Sequence, residues 1–113
     1  MAQYTIKDWT DNDCTTVGQL FANLQGRYTL LLVSILALEG RRSFGSLKRS
    51  ISGISTKTLS ERLAHLVATG VIVNEKVREG NIIKSYYFIT TGESEFLQLL
   101  RAFRTYSKVF TSN

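Results

Sequence analysis

Apolar positions along the chain change their period several times, and each change marks an element. From Thr15 or Thr16 onward, Val17, Leu20, Phe21 and Leu24 recur at spacings of three and four, one face of a helix. Gln25-Gly26-Arg27 interrupts them. Tyr28 to Glu39 is apolar on nearly every side, which predicts a helix at the centre of the domain, closed by Gly40. Ser43-Phe44 reads as a very short strand. Phe44, Leu47 and Ile51 then share the face of a short helix. Beyond the turn Ser52-Gly53-Ile54, a longer helix starts after Ser55 and ends at Gly70, with Leu59, Leu63, Leu66 and Val67 as its inward stripe. From Val71 to Arg78 apolar and polar residues alternate, the mark of a strand. Glu79-Gly80-Asn81 is a turn, and Ile82 to Ile89 is a second strand rich in β-branched and aromatic residues. Thr90 and Glu93, at capping-box spacing, open a last helix with a long apolar stripe.

The two helices between Arg41 and Gly70 meet at a tight turn. Gly53 suits a turn that needs unusual dihedrals, and the Ser55 hydroxyl suits an N-cap. This is the pattern of a helix-turn-helix, and the hairpin after it is a wing. The expected fold is α+β and mostly α: a winged helix-turn-helix with a two- to three-stranded β-wing and additional N- and C-terminal dimerisation helices. With 113 residues the chain reads as one domain. Its parts are an arm (1–14), N-terminal helices (15–40), the helix-turn-helix (41–70), the wing (71–90) and a C-terminal dimerisation helix (91–113). Tyr4 and Trp9 in the arm are expected to pack on a neighbouring surface. The last helix carries Phe96, Leu99, Leu100, Phe103, Tyr106 and Phe110. Three other helices already supply a core, so this stripe asks for a further surface. A second subunit is the expected cover, meeting these residues together with Val17, Leu20, Phe21 and Leu24. Packing within one domain is the alternative.

Charge sharpens the picture. Arg41, Arg42, Lys48, Arg49, Lys57 and Arg62 share their segment with a single acid, Glu61, so this stretch carries the chain's entire net charge of +5. A basic patch on a helix-turn-helix is the footprint of a phosphate-backbone binder, although a solvated basic surface has the same composition. Base edges are usually met by the N-terminal part of the second helix. That selects Ser55, Thr56, Lys57, Thr58 and Glu61, with His65 at the margin. Lys48 and Arg49 fall away from the apolar face of the first helix and, with Arg41 and Arg42, are expected at phosphates. Arg62 lies on the flank, where a phosphate contact and a salt bridge are both open to it. Lys76, Arg78, Asn81 and Lys84 stand on the wing, within reach of the backbone or the minor groove.

Taken together, several motifs resemble a known family. They are Cys14-x-x-Val17, Gly26-Arg27-Tyr28-Thr29, Arg42-Ser43-Phe44-x-x-Leu47, the run from Ile51 through Ser55 to Arg62-Leu63, Gly70, and Tyr87-x-Ile89-Thr90-x-x-Gly92. The chain resembles the HxlR-type winged-helix transcription regulators, relatives of the MarR class, from Cys14 to Phe110. The resemblance implies a homodimer held by N- and C-terminal helices on a palindromic operator of double-stranded DNA. It also implies that Cys14 stands where several members carry a cysteine that senses oxidants or electrophiles, so a small-molecule or oxidant effector is possible. Two positions depart from the pattern. Tyr28 replaces a common Trp, and Asn81-Ile82-Ile83-Lys84 lacks the common Pro, which alters the expected wing.

Other chemistry finds little support in the residues. A single cysteine excludes an internal disulfide framework and CxxC metal clusters. His65 has no partner at ligand spacing, and no paired carboxylates suggest catalysis, so no enzyme, metal or cofactor is expected. No apolar run reaches the length of a membrane span, and the N-terminus lacks the order of a signal peptide, so the expected location is cytoplasmic. The rival reading is a winged helix that docks an acidic protein partner without DNA, since fold alone does not fix function.

Overall fold

A computed structural model describes residues 10–89 and 92–111. The element order is α1 (Asp11–Asn23), α2 (Thr29–Glu39), β1 (Arg42–Ser43), α3 (Phe44–Ser50), α4 (Thr56–Ala68), β2 (Val73–Glu79), β3 (Ile82–Phe88) and α5 (Glu93–Thr111). The strands form an antiparallel sheet in the order β1-β3-β2, with Arg42 opposite Tyr87 and Val77 opposite Lys84. This is a winged helix-turn-helix, mostly helical, with a three-stranded sheet.

One core holds the helix-turn-helix together. Leu32, Val33 and Leu36 of α2, Leu47 of α3, and Leu59, Leu63 and Leu66 of α4 are all buried, with Ile51, Ile54, Ile72 and Tyr87 around them. Ile51 and Ile54 flank the turn between α3 and α4, so that turn is anchored from both ends. Gly53 lies between them at φ 79°, a left-handed conformation that costs a glycine little. Burying each of these leucines stabilises the fold by roughly 1.5–3 kcal/mol, and together they fix how α4 is rotated.

Several boundaries differ from those read in the sequence. Helix α1 begins at Asp11, inside the expected arm, because Thr10 and Asp13 form a reciprocal capping box. Cys14 is therefore an exposed residue of a helix. Tyr28 precedes α2 as its N-cap rather than opening it, with φ 73°. The first strand is Arg42–Ser43, one residue earlier than expected. Strand β2 starts at Val73, because the amides of Val71 and Ile72 both donate to the Leu66 carbonyl at 3.0 and 3.4 Å. The chain thus wraps the end of α4 before entering the sheet, and Ile72 is spent on the core. Tyr4, Trp9 and the Thr90–Glu93 capping box lie outside what the structure describes.

Helix α2 is central on one side only. Leu32, Val33, Leu36 and Ala37 are buried, whereas Leu30, Leu31 and Leu38 are exposed. Helix α5 packs against α2. Its Phe96, Leu99, Leu100 and Phe103 are half-buried within the chain, and Phe103 meets Phe21 of α1 at a ring distance of 6.0 Å. Intrachain packing therefore takes the first half of the α5 stripe, because α2 offers a second apolar side. Tyr106 and Phe110 beyond it are 65% and 69% exposed.

Candidate nucleic-acid interface

Helix α4 presents its first turns to solvent for local reasons. Ser55 has extended backbone, and its hydroxyl accepts from the Thr58 amide at 3.0 Å, which satisfies one free donor of the helix start. The same hydroxyl donates to Thr58 Oγ1 at 2.9 Å. Leu59, Leu63 and Leu66 hold the opposite face in the core. Thr56, Lys57, Ser60, Glu61, Ala64 and His65 are left exposed. Ser55 and Thr58, expected at base edges, also form the cap of the helix, and Ser60, absent from that expectation, stands on the outer face. Its signal was its position one turn beyond Thr56.

The six cations of the segment meet different partners. Arg42 is half-buried and donates to Ser46 Oγ at 2.6 Å and to Ser50 Oγ, with Glu39 3.0 Å away. Lys48 donates to the Ile54 carbonyl at 3.2 Å, closing the helix-turn-helix turn. Arg62 donates to the Arg27 carbonyl at 3.0 Å. Arg41 pairs with Glu75 and lies 4.0 Å over the Tyr86 ring. Arg42, Lys48 and Arg62, expected at phosphates, thus each also meet serine hydroxyls or backbone carbonyls of the chain itself. Arg49 has no hydrogen-bond or ion-pair partner among the described residues. Lys57 has only Glu61 of the next turn, 4.0 Å away and exposed.

The wing is sided. Directly opposed residues of an antiparallel pair share a face. One face carries Asn74, Lys76, Arg78, Ile83, Ser85 and Tyr87; the other carries Glu75, Val77, Glu79, Ile82, Lys84 and Tyr86. Both acids lie on the second face. There Glu79 accepts from Tyr86 Oη at 2.9 Å and pairs with Lys84 at 3.1 Å. The Tyr86 hydroxyl, then Lys84, hold its carboxyl below the usual glutamate range. Lys84 thus has an acid partner on its own face, with both side chains about half exposed. The first face is turned to α4, since Asn74 and Tyr87 line a cleft of about 320 Å³ with Ser60 and Ala64. Lys76 and Arg78 are exposed on it with no ion-pair partner among the described residues. A second cleft, of about 360 Å³, brings Arg49 of α3 beside Ile83, Lys84 and Ser85 of β3. Sequence reasoning missed Ile82 and Ile83, which are 62% and 66% exposed at the wing tip. Asn81 is exposed in the turn beside them.

A model of the HxlR-like helix-turn-helix family matches residues 23–113. The chain belongs to this family. No curated protein sequence matches it. Among solved structures, a protein named for the MarR family of regulators, from Enterococcus faecalis V583, superposes with a TM-score of 0.76 at 22% identity, covering 91% of each chain. The reduced form of the transcriptional regulator YodB from B. subtilis gives a TM-score of 0.73 at 20% identity, covering 90% of this chain and 94% of that one. The redox regulator HypR in its reduced form gives 0.69 at 22% identity, covering 87% and 99%. At these identities the likeness is one of fold. Tyr28 is half-buried against the core, with the Arg27 guanidinium 4.8 Å from its ring centroid. Among the described residues no helix is long and apolar enough to cross a membrane, and no cluster of His, Cys, Asp and Glu could hold a metal ion.

Proposed function

We propose that this HxlR-like protein is a sequence-specific, dimeric DNA-binding transcription regulator. The observation that carries the reading is the outer face of α4, where Thr56, Lys57, Ser60, Glu61 and Ala64 are exposed, together with the exposed cations Arg49 on α3 and Lys76 and Arg78 on the wing face that carries Asn74. Small polar side chains on a helix held rigidly from behind suit base edges in a major groove. Cations on α3 and on the α4 side of the wing suit the phosphates that border it. The acids of the wing are turned to its other face, which keeps like charge away from DNA.

A dimer on a palindromic operator follows from the apolar surface. Phe21, Leu30, Leu31, Leu38, Tyr106 and Phe110 are large, exposed and carried on α1, α2 and α5. Such a surface on helices away from the reading head suits a second copy of the chain. Control is read at Cys14, an exposed free cysteine in the first turn of α1, the helix that also carries Phe21. With one cysteine per chain, an oxidant would join two subunits or attach a small thiol. A gel-shift titration on genomic fragments tests the DNA reading, and saturable binding of particular fragments is expected. Binding only to an acidic protein, with no duplex bound at any salt concentration, would sink it. Alkylating the reduced thiol tests the control, and unchanged operator affinity would remove Cys14 from the account.

A further inference from the structure

Arg62 lies on the flank of α4 and is half-buried. Its Nε donates at 3.0 Å to the Arg27 carbonyl, 35 positions earlier. That carbonyl belongs to the turn joining α1 to α2. The turn is tightly constrained: Gly26 has φ 102°, and Tyr28 has φ 73°, the single positive φ of a non-glycine among the described residues. A Cβ on Gly26 would lie 3.3 Å from Thr29 Oγ1 and 3.6 Å from both Nε and Cζ of Arg62. A side chain at position 26 would therefore crowd Thr29 and touch the guanidinium, and at this positive φ it would strain the turn that Arg62 meets. Thr29 beneath it is fully buried. No acid pairs with Arg62 among the described residues, so a directed N–H, rather than charge, makes this contact. A lysine ammonium lacks the planar fork that directs it.

We propose that Arg62 is a positioning residue that braces the reading helix α4 against the α1–α2 turn. The brace fixes the angle between α4 and the helices that would pair the subunits. In a dimer that angle sets where two reading heads fall along a duplex, so half-site spacing becomes a recognised feature. This consequence rests on the proposed dimeric DNA reading, while the brace itself is testable without DNA.

Two measurements on the full chain test it. In NMR, the Arg62 Nε–H of the wild-type protein is expected to exchange with solvent more slowly than that of Arg49. Exchange as fast as Arg49's would overturn the brace whatever the protein binds. The second compares wild type, Arg62→Ala, Arg62→Lys and Gly26→Ala on a selected operator, on the same operator with one base pair added between half-sites, and on random duplex over a salt series. Wild type is expected to prefer the native spacing on the order of tenfold. All three variants are expected to lose most of that preference, with the salt slope on random duplex unchanged. A variant set that keeps the spacing preference overturns the proposal. So does a slope smaller by about one in Arg62→Ala with the preference kept, which marks a phosphate contact instead. A wild-type chain that selects no operator contradicts the DNA reading alone, and the exchange measurement still decides the brace.

Discussion

Lys57 and Arg62 stand on one helix, carry equal charge and face different partners. Composition counts them alike, because the Arg27 carbonyl that takes up Arg62 lies 35 positions away and is invisible to local spacing. Lys48 on the Ile54 carbonyl and Lys84 on Glu79 find partners nearer in sequence, but across a turn whose geometry spacing alone does not give. Lys57→Ala is expected to weaken operator binding by roughly 1–3 kcal/mol with little change on random duplex, if its ammonium meets a guanine edge. Arg49→Ala is expected to weaken all sequences and to lower the salt slope by about one, as loss of a single phosphate contact does. Lys84→Ala should leave that slope where it was. Salt titrations of the three variants by fluorescence anisotropy check the set, and equal slope changes in all of them would show that the wing is not sided.

At the scale of elements, what was legible was what is local. The Ser55 cap and the stripe Leu59, Leu63, Leu66 are adjacent in sequence, so α4 emerged with its buried face. The start of β2 did not, since the burial of Ile72 depends on how the chain folds back over Leu66. Helix α1 began earlier than its apolar period because its first turn is capped by polar groups alone, Thr10 and Asp13. Leu63→Ala is expected to cost about 2–5 kcal/mol in urea unfolding, as large-to-small changes in a closed core do. The wing is expected to respond to acid. The Tyr86 hydroxyl and Lys84 depress the Glu79 carboxyl in the folded state, so the ionised form is tied to the folded hairpin. Its contribution is complete above the ordinary glutamate pKa and fades as pH falls through the depressed value. Amide exchange in β2 and β3, corrected for intrinsic rates, should accelerate selectively on acidification. Glu79→Gln should abolish that dependence.

For the molecule as a whole, the radius of gyration of 16.5 Å exceeds the roughly 13 Å expected of a compact chain of this length. The far half of α5, with Tyr106 and Phe110 exposed, accounts for part of that extension. The apolar period of α5 was plain in the sequence; how it divides between α2 and solvent was not, because that depends on the second apolar side of α2. Replacing Phe110 by Glu is expected to give a monomer in sedimentation and to reduce operator affinity more than random binding, since two linked half-sites bind far better than one. The claim that joins these scales is that α4 of two subunits reads two half-sites. Selecting bound duplexes from a random pool tests it most directly. The account expects a two-fold symmetric motif with half-sites about 10–10.5 base pairs apart, or a multiple of that, and loss of discrete positions from it in Lys57→Ala. Enrichment of no motif, or of one without symmetry and unchanged by Lys57→Ala, would contradict it.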